Sequence, residues 1–217
     1  MLLAEGQAIL RALVVAERRT RRAAINQPGL VLAAKAGASD ELLAKLLDAY
    51  AAEPGAVCVD VLLCESQQQQ QLLRDGQADA ALLHLPFDST TGLDTEVLYT
   101  EGQVAILPAA HPLTRRSHLR MAEVTALPEL PPARWPCPGG TYPQGPGAQV
   151  RNLTQLFQLI ALGRSTVIVP ESASADLRHD LAAVPVLDAP SVTTVIGWPA
   201  HSRSRAVADL VRTATRL

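Results

Sequence analysis

Three apolar runs of strand length, LVLAAKA (Leu30 to Ala36), VCVDVLL (Val57 to Leu63) and ADAALLHL (Ala78 to Leu85), alternate with two stretches of helical spacing. In the first of these stretches Leu42, Leu43, Leu46, Leu47 and Tyr50 recur at the interval of one helix face, and Ser39 followed by Asp40 and Glu41 is a helix-start signal. The second, SQQQQQLLRDGQ from Ser66 to Gln77, ends at Gly76. Five consecutive glutamines are too short a run to count as low complexity, and Leu72 and Leu73 carry the helical pattern back into them. Two successive strand-helix-strand units imply a parallel sheet with right-handed crossovers, so the fold class is α/β.

Upstream, Leu2 to about Ala24 reads as a single helix. Leu2, Ile9, Leu13, Ala16 and Ala23 form its apolar stripe, and Asn26, Gln27, Pro28 and Gly29 stop it. The arginines Arg18, Arg19, Arg21 and Arg22 on its polar side read as a solvated face, with phosphate or partner contact as the alternative.

With 217 residues, 48% of them hydrophobic, the chain can bury one large core or two smaller ones. Aromatics supply only 3%, so Ala, Leu and Val must do the packing. A net charge of −2 gives no global footprint for nucleic acid. Cys58, Cys64 and Cys137 form no Cys-x-x-Cys pair and are odd in number, which indicates neither a zinc site nor a disulfide framework and fits a reducing cytoplasm. No export signal and no apolar run long enough to span a bilayer is visible. The expectation is a cytoplasmic protein without metal or cofactor.

The segment GLDTEVLYTEGQVAILPAAHPLTRRSHLRMAEVTAL (Gly92 to Leu127), read with its flanks, resembles the effector-binding domain of LysR-type transcriptional regulators. AEPGAVCVDVLL is similar to that family's turn into its second strand, and Gly76-Gln77-Ala78-Asp79 to its short signature before the third. VAILPAAHPL matches its strand followed by Pro-x-x-His-Pro-Leu, and MAEV looks like its next short helix. NLTQLFQLIALGRSTVIVPES (Asn152 to Ser172) matches the second lobe, while LLAEGQAIL resembles the start of the linker helix through which these regulators dimerise. The resemblance departs in the proline- and glycine-rich stretch 127–147, where a helix is excluded.

This resemblance implies two Rossmann-like lobes of the type II periplasmic-binding-protein architecture, joined by two crossover strands and preceded by a linker helix. The implied division is 1–28 for the linker, 29–101 with 199–217 for lobe I, and 102–198 for lobe II. SRAVADLVRTATRL, from Ser204, would close lobe I as a helix. A small-molecule effector would lie between the lobes, the protein would form homodimers or homotetramers, and DNA would be met only through a winged helix-turn-helix that this sequence does not contain.

In open α/β sheets ligands gather at the carboxyl ends of the strands, where helix N-termini favour carboxylate or another anion. Two such turns are visible, one with Ala38 and Ser39, the other with Ser66 and Gln67. Each serine reads equally as a helix cap or an effector contact. By resemblance Ser39 and Ser66 touch the effector, Pro86 and Trp198 lie beside it, and Thr141 and Tyr142 come from the second lobe. Lys35, a cation in an apolar strand, reads as an edge residue with its head in solvent, or else as a ligand neighbour.

His84, His111, His118, His179 and His201 fall in no metal-binding spacing. His84 ends a strand near the expected site and reads as a structural histidine. No nucleophile elbow, phosphate loop or dinucleotide fingerprint is present, so no catalytic reading is supported. The rival readings are a transporter's solute-binding protein, a small enzyme on the same plan, and a free-standing ligand-binding domain that lacks a DNA reader.

Overall fold

The computed structural model describes Gly6 and residues 29–137 and 141–217. The expected helix from Leu2 to Ala24 therefore lies outside the described residues.

Along the chain run β1 (Gly29–Lys35), α1 (Asp40–Ala51), β2 (Cys58–Cys64), α2 (Gln69–Arg74), β3 (Ala80–Leu85), β4 (Leu93–Glu101) and β5 (Gln103–Pro108). After a short 3-10 turn come α3 (Met121–Thr125), α4 (Leu153–Ala161), β6 (Val167–Pro170), β7 (Leu181–Val186), β8 (Val192–Pro199) and α5 (Arg205–Ala214). The described residues divide into two compact units: unit 1 holds 29–35, Asp40–Tyr99 and Thr194–Leu217, and unit 2 holds Ala36–Ser39 and those of 100–193.

Unit 1 is built on a sheet of order β2-β1-β3-β8-β4, in which β1 pairs in parallel with both β2 and β3. The parallel pairing expected from the two strand-helix-strand units is present. Alternate residues of β1 feed two cores. Leu30, Leu32 and Ala34 pack with Leu46 and Tyr50 of α1 and with Val207, Leu210 and Val211 of α5. Val31 and Ala33 pack with Leu73 of α2 and with Ala81 and Leu83 of β3.

Asp79 shows why a carboxylate precedes β3. Its Oδ2 accepts the Val31 N–H at 2.8 Å while its own N–H donates to the Val31 carbonyl at 2.8 Å, which fixes the register of β3 on β1. The closing helix α5 starts where expected, with the Ser204 side chain accepting the Val207 N–H.

Unit 2 carries the antiparallel sheet β6-β5-β7. On one face Val104 and Ile106 meet Leu153, Leu156 and Ile160 of α4. On the other, Ala105 and Leu107 meet Leu119, Val124, Leu130 and Val184. Asn152 caps α4 by accepting the Gln155 N–H at 2.9 Å. The proline-rich stretch is non-helical, as proline requires. It is tied down by Arg134, whose guanidinium donates to the carbonyls of Gly147 at 2.6 Å and Pro143 at 2.9 Å.

Candidate functional site at the carboxyl ends of the parallel strands

Because β2, β1 and β3 are neighbours running in one direction, Cys64, Lys35 and His84 reach the same end of the sheet side by side. Lys35 pairs in register with Cys64, so both side chains leave the sheet on the face covered by α2. This corrects the edge reading of Lys35: its strand is flanked on both sides, and the residue is half-buried. A solvated edge lysine needs an outer strand, and here the outer strand is β2.

Burial pushes the Lys35 ammonium below the ordinary lysine value, against the raising influence of Asp88 and Cys64. Asp88 follows β3, and its buried carboxylate accepts the His84 N–H at 2.8 Å and lies 3.7 Å from His84 Nδ1. The Cys64 thiol is pushed up to about 12, by burial first and then by the Asp88 carboxylate, with Lys35 opposing. It donates to the Ala34 carbonyl at 3.4 Å, a structural thiol held protonated.

Ser66 and Gln67 form the turn after β2. The helix expected from Ser66 begins instead at Gln69 and ends at Arg74. Gln67 has φ of 66°, which no helical residue adopts, and the Gln68 side chain accepts the Glu65 N–H at 3.0 Å. Ser66 is thus no cap, and its buried Oγ has no hydrogen-bond partner. Neither has the side-chain amide of Gln69, at Nε2 or Oε1, although Gln69 is wholly buried. Two polar side chains in this condition within one short stretch are unusual for a folded protein.

Other residues expected at the site are placed as follows. Pro86 follows β3 through a cis Leu85–Pro86 bond and is exposed. Ser39 is buried, with φ of 57° rather than the extended backbone of an ordinary N-cap, and it belongs with Ala38 to unit 2, where a Cβ added at Gly37 would stand 3.5 Å from Leu153 Cβ. Thr141 and Tyr142 lie in the proline-rich stretch of unit 2, the Thr141 carbonyl accepting the Cys137 N–H at 2.7 Å.

Trp198 belongs to unit 1, not to the second lobe in which the resemblance put it. It packs on the α1/α5 side and lines a groove of about 420 Å³ with Glu96, Ser202, Ser204 and Val207, apart from the α2 side that holds Ser66 and Gln69. A groove of about 500 Å³ in unit 2 borders α4, between Asn152, Phe157 and Arg178. There Arg178 is already engaged by Asp180 and Gln158.

Asp88 and Gln69 are the residues at this end of the sheet that the sequence alone conceals. Gln69 stands in a run of five identical residues, and nothing local marks Asp88 as the carboxylate whose charge acts on Lys35. Among the described residues no group of three or more His, Cys, Asp or Glu is arranged to hold a metal ion, and no helix is long and apolar enough to cross a membrane.

A family model described as the LysR substrate binding domain matches residues 26–217. Comparison with curated protein sequences gives no match. Among solved structures the chain is similar to the reduced regulatory domain of OxyR from Pseudomonas aeruginosa (TM-score 0.67, 19% identity, 87% of this chain and 98% of that one). It is also similar to a hydrogen-peroxide-bound cysteine mutant of Corynebacterium glutamicum OxyR (0.67, 19%, 94% and 73%). A third similar structure is full-length CbnR in complex with its target DNA (0.70, 17%, 99% and 80%). At these identities the likeness is one of fold, the type II periplasmic-binding-protein-like plan.

Proposed function

The chain belongs to the LysR substrate-binding domain family, and from that premise we propose that it is a noncatalytic sensor that binds a small carboxylate or other anion at the carboxyl ends of β1, β2 and β3. It is an effector-binding domain of a LysR-type regulator. The observation that carries the proposed location is the side-by-side arrival of three parallel strand ends bearing Lys35, Cys64 and His84, with Ser66 in the turn that follows β2. Ligand sites in open α/β sheets gather at such ends, where the following helix starts and backbone N–H groups point outward.

Ser66, Gln67 and Pro86 border the site in unit 1. Ala38, Ser39, Thr141 and Tyr142 belong to unit 2, and for them the proposal of an effector contact rests on the resemblance alone. Trp198, on the α1/α5 side, is left outside it. A ligand of unequal affinity for two forms of the domain would shift their populations, which is all that sensing requires. The protein works in the cytoplasm as a homodimer or homotetramer, and DNA is met through a winged helix-turn-helix rather than through this domain.

The test is a thermal-shift screen of the purified chain against small carboxylates, amino acids, aromatic acids and phosphorylated metabolites. A saturable rise in Tm for one class is expected from linkage. Ser66→Ala should diminish that rise and leave the Tm of the protein alone within about 2 °C. A flat response to every class would overturn the sensor reading.

A further inference from the structure

A half-buried ammonium and a wholly buried amide lie at one end of a core. Lys35 continues the side of β1 that carries Val31 and Ala33, two residues beyond Ala33 toward the carboxyl end. Gln69 precedes Leu73 by one helical turn and so shares its face, and Leu73 belongs to the same core as Ala33. In a strand-helix crossover the helix start lies at the strand's carboxyl end. Lys35 and Gln69 therefore close the same end of the apolar layer that lies between α2 and the sheet.

Near them are the carboxylate of Asp88, whose charge acts on Lys35 and Cys64, and the partnerless hydroxyl of Ser66. A wholly buried amide with neither its donor nor its acceptor used costs on the order of 1–3 kcal/mol per group. Leucine would fill the same volume above Leu73 without that cost. Reaching the amide requires the Ser66–Gln68 turn to give way, which fits a turn whose Gln67 is left-handed and exposed.

We infer that Lys35 and Gln69 form a recognition site for a small carboxylic acid that carries a hydrogen-bond donor next to its carboxylate, a 2-hydroxy or 2-amino acid. The carboxylate oxygens accept from the Lys35 ammonium, the Gln69 Nε2–H and the Ser66 hydroxyl. The adjacent hydroxyl or ammonium donates to Gln69 Oε1. The amide thereby uses both its donor and its acceptor, which a plain carboxylate cannot achieve. This inference rests on the effector-binding reading and names its ligand class.

Four three-carbon probes isolate the chemistry by titration calorimetry on the full chain: lactate, alanine, propanoate and lactamide. Lactate or alanine should bind saturably, with propanoate and lactamide weaker by at least about tenfold. Lys35→Met should weaken the preferred probe by at least about tenfold, with Lys35→Arg intermediate.

Since removal of Lys35 takes away a cation whose charge acts on the buried Asp88 carboxylate, Gln69→Leu supplies a variant that does not threaten the fold. It should raise the Tm of the protein alone by roughly 2–4 °C while it abolishes binding of the probe. A purely structural glutamine would give a fall in Tm and unchanged affinity, and that result overturns the inference. Equal binding of propanoate and lactate overturns it as well. If aromatic or phosphorylated compounds bind and none of the four probes does, this inference falls and the sensor reading stands. Silence toward every compound in both experiments removes both.

Discussion

At the scale of single residues, the five glutamines 67–71 show what sequence can and cannot disclose. Gln67 turns the backbone into the left-handed region, Gln68 caps the Glu65 N–H, and Gln69 is buried. Gln70 donates to Ser89 Oγ and the Thr91 carbonyl, each at 3.2 Å, and Gln71 to Asp75 at 2.7 Å. Identical letters meet different surroundings because those surroundings come from β3 and the loop after it, and no local pattern encodes them. Lys35 was misread for the same reason, since an edge and a centre look alike until the strand order is known. Cys64 gives a prediction at this scale. Its thiol should resist iodoacetamide at pH 8, whereas the exposed Cys58 and Cys137 are alkylated, as mass spectrometry after brief labelling would report. The native value lies above the unfolded one, so the unfolded chain loses this proton first. The stability owed to Cys64 is complete below the ordinary thiol range and is lost as pH climbs from there toward about 12. Cys64→Ala should flatten that part of a plot of urea midpoint against pH.

At the scale of elements, periodicity and caps were good guides. Helix α1 and strands β1 to β3 stand within a few residues of where apolar spacing and the signal at Ser39, Asp40 and Glu41 put them, and α4 and α5 lie where the resemblance put them. The exception is α2, cut short at its start by the Gln67 backbone. The path of the stretch 127–147 was illegible beyond its exclusion from helix, because long-range bonds to Arg134 and bridges from Pro132 to Thr166 and from Arg134 to Gln149 set it. Gly147 belongs to that framework. A Cβ there would stand 1.8 Å from the Pro132 carbonyl oxygen, a backbone atom that cannot swing aside. Gly147→Ala should therefore cost about 3 kcal/mol in chemical denaturation. Gly102→Ala, with nothing within 4 Å of its added Cβ, should change stability by less than about 0.5 kcal/mol. Equal effects at the two sites would refute the steric account.

At the scale of the whole molecule, the composition of two apolar layers in each unit was legible as α/β, but the paths that weave them were supplied by resemblance rather than by pattern. Charge offers a test here. With 19 basic and 21 acidic residues the chain has no excess of cations with which to displace counterions from a duplex. In fluorescence anisotropy at 0.15 M salt it should bind DNA no more tightly than about 10⁻⁵ M, with no preference among sequences. Saturable, sequence-selective binding would show that this domain reads DNA directly.

The position of β8 in the sheet has a consequence for how the protein is made. It stands between β3 and β4, and β4 has no other neighbour in the sheet order. On the ribosome β4 is complete at Glu101, yet its pairing partner begins at Val192. At roughly 5–20 residues per second the intervening segment takes about 5–20 s to synthesise. For that interval the nascent chain carries an open strand edge, whereas the sheet β6-β5-β7 has its last strand by Val186, before β8 begins. Translation speed over residues 102–191 thus sets how long β4 waits, and a nascent-chain chaperone would have its longest opportunity at that edge.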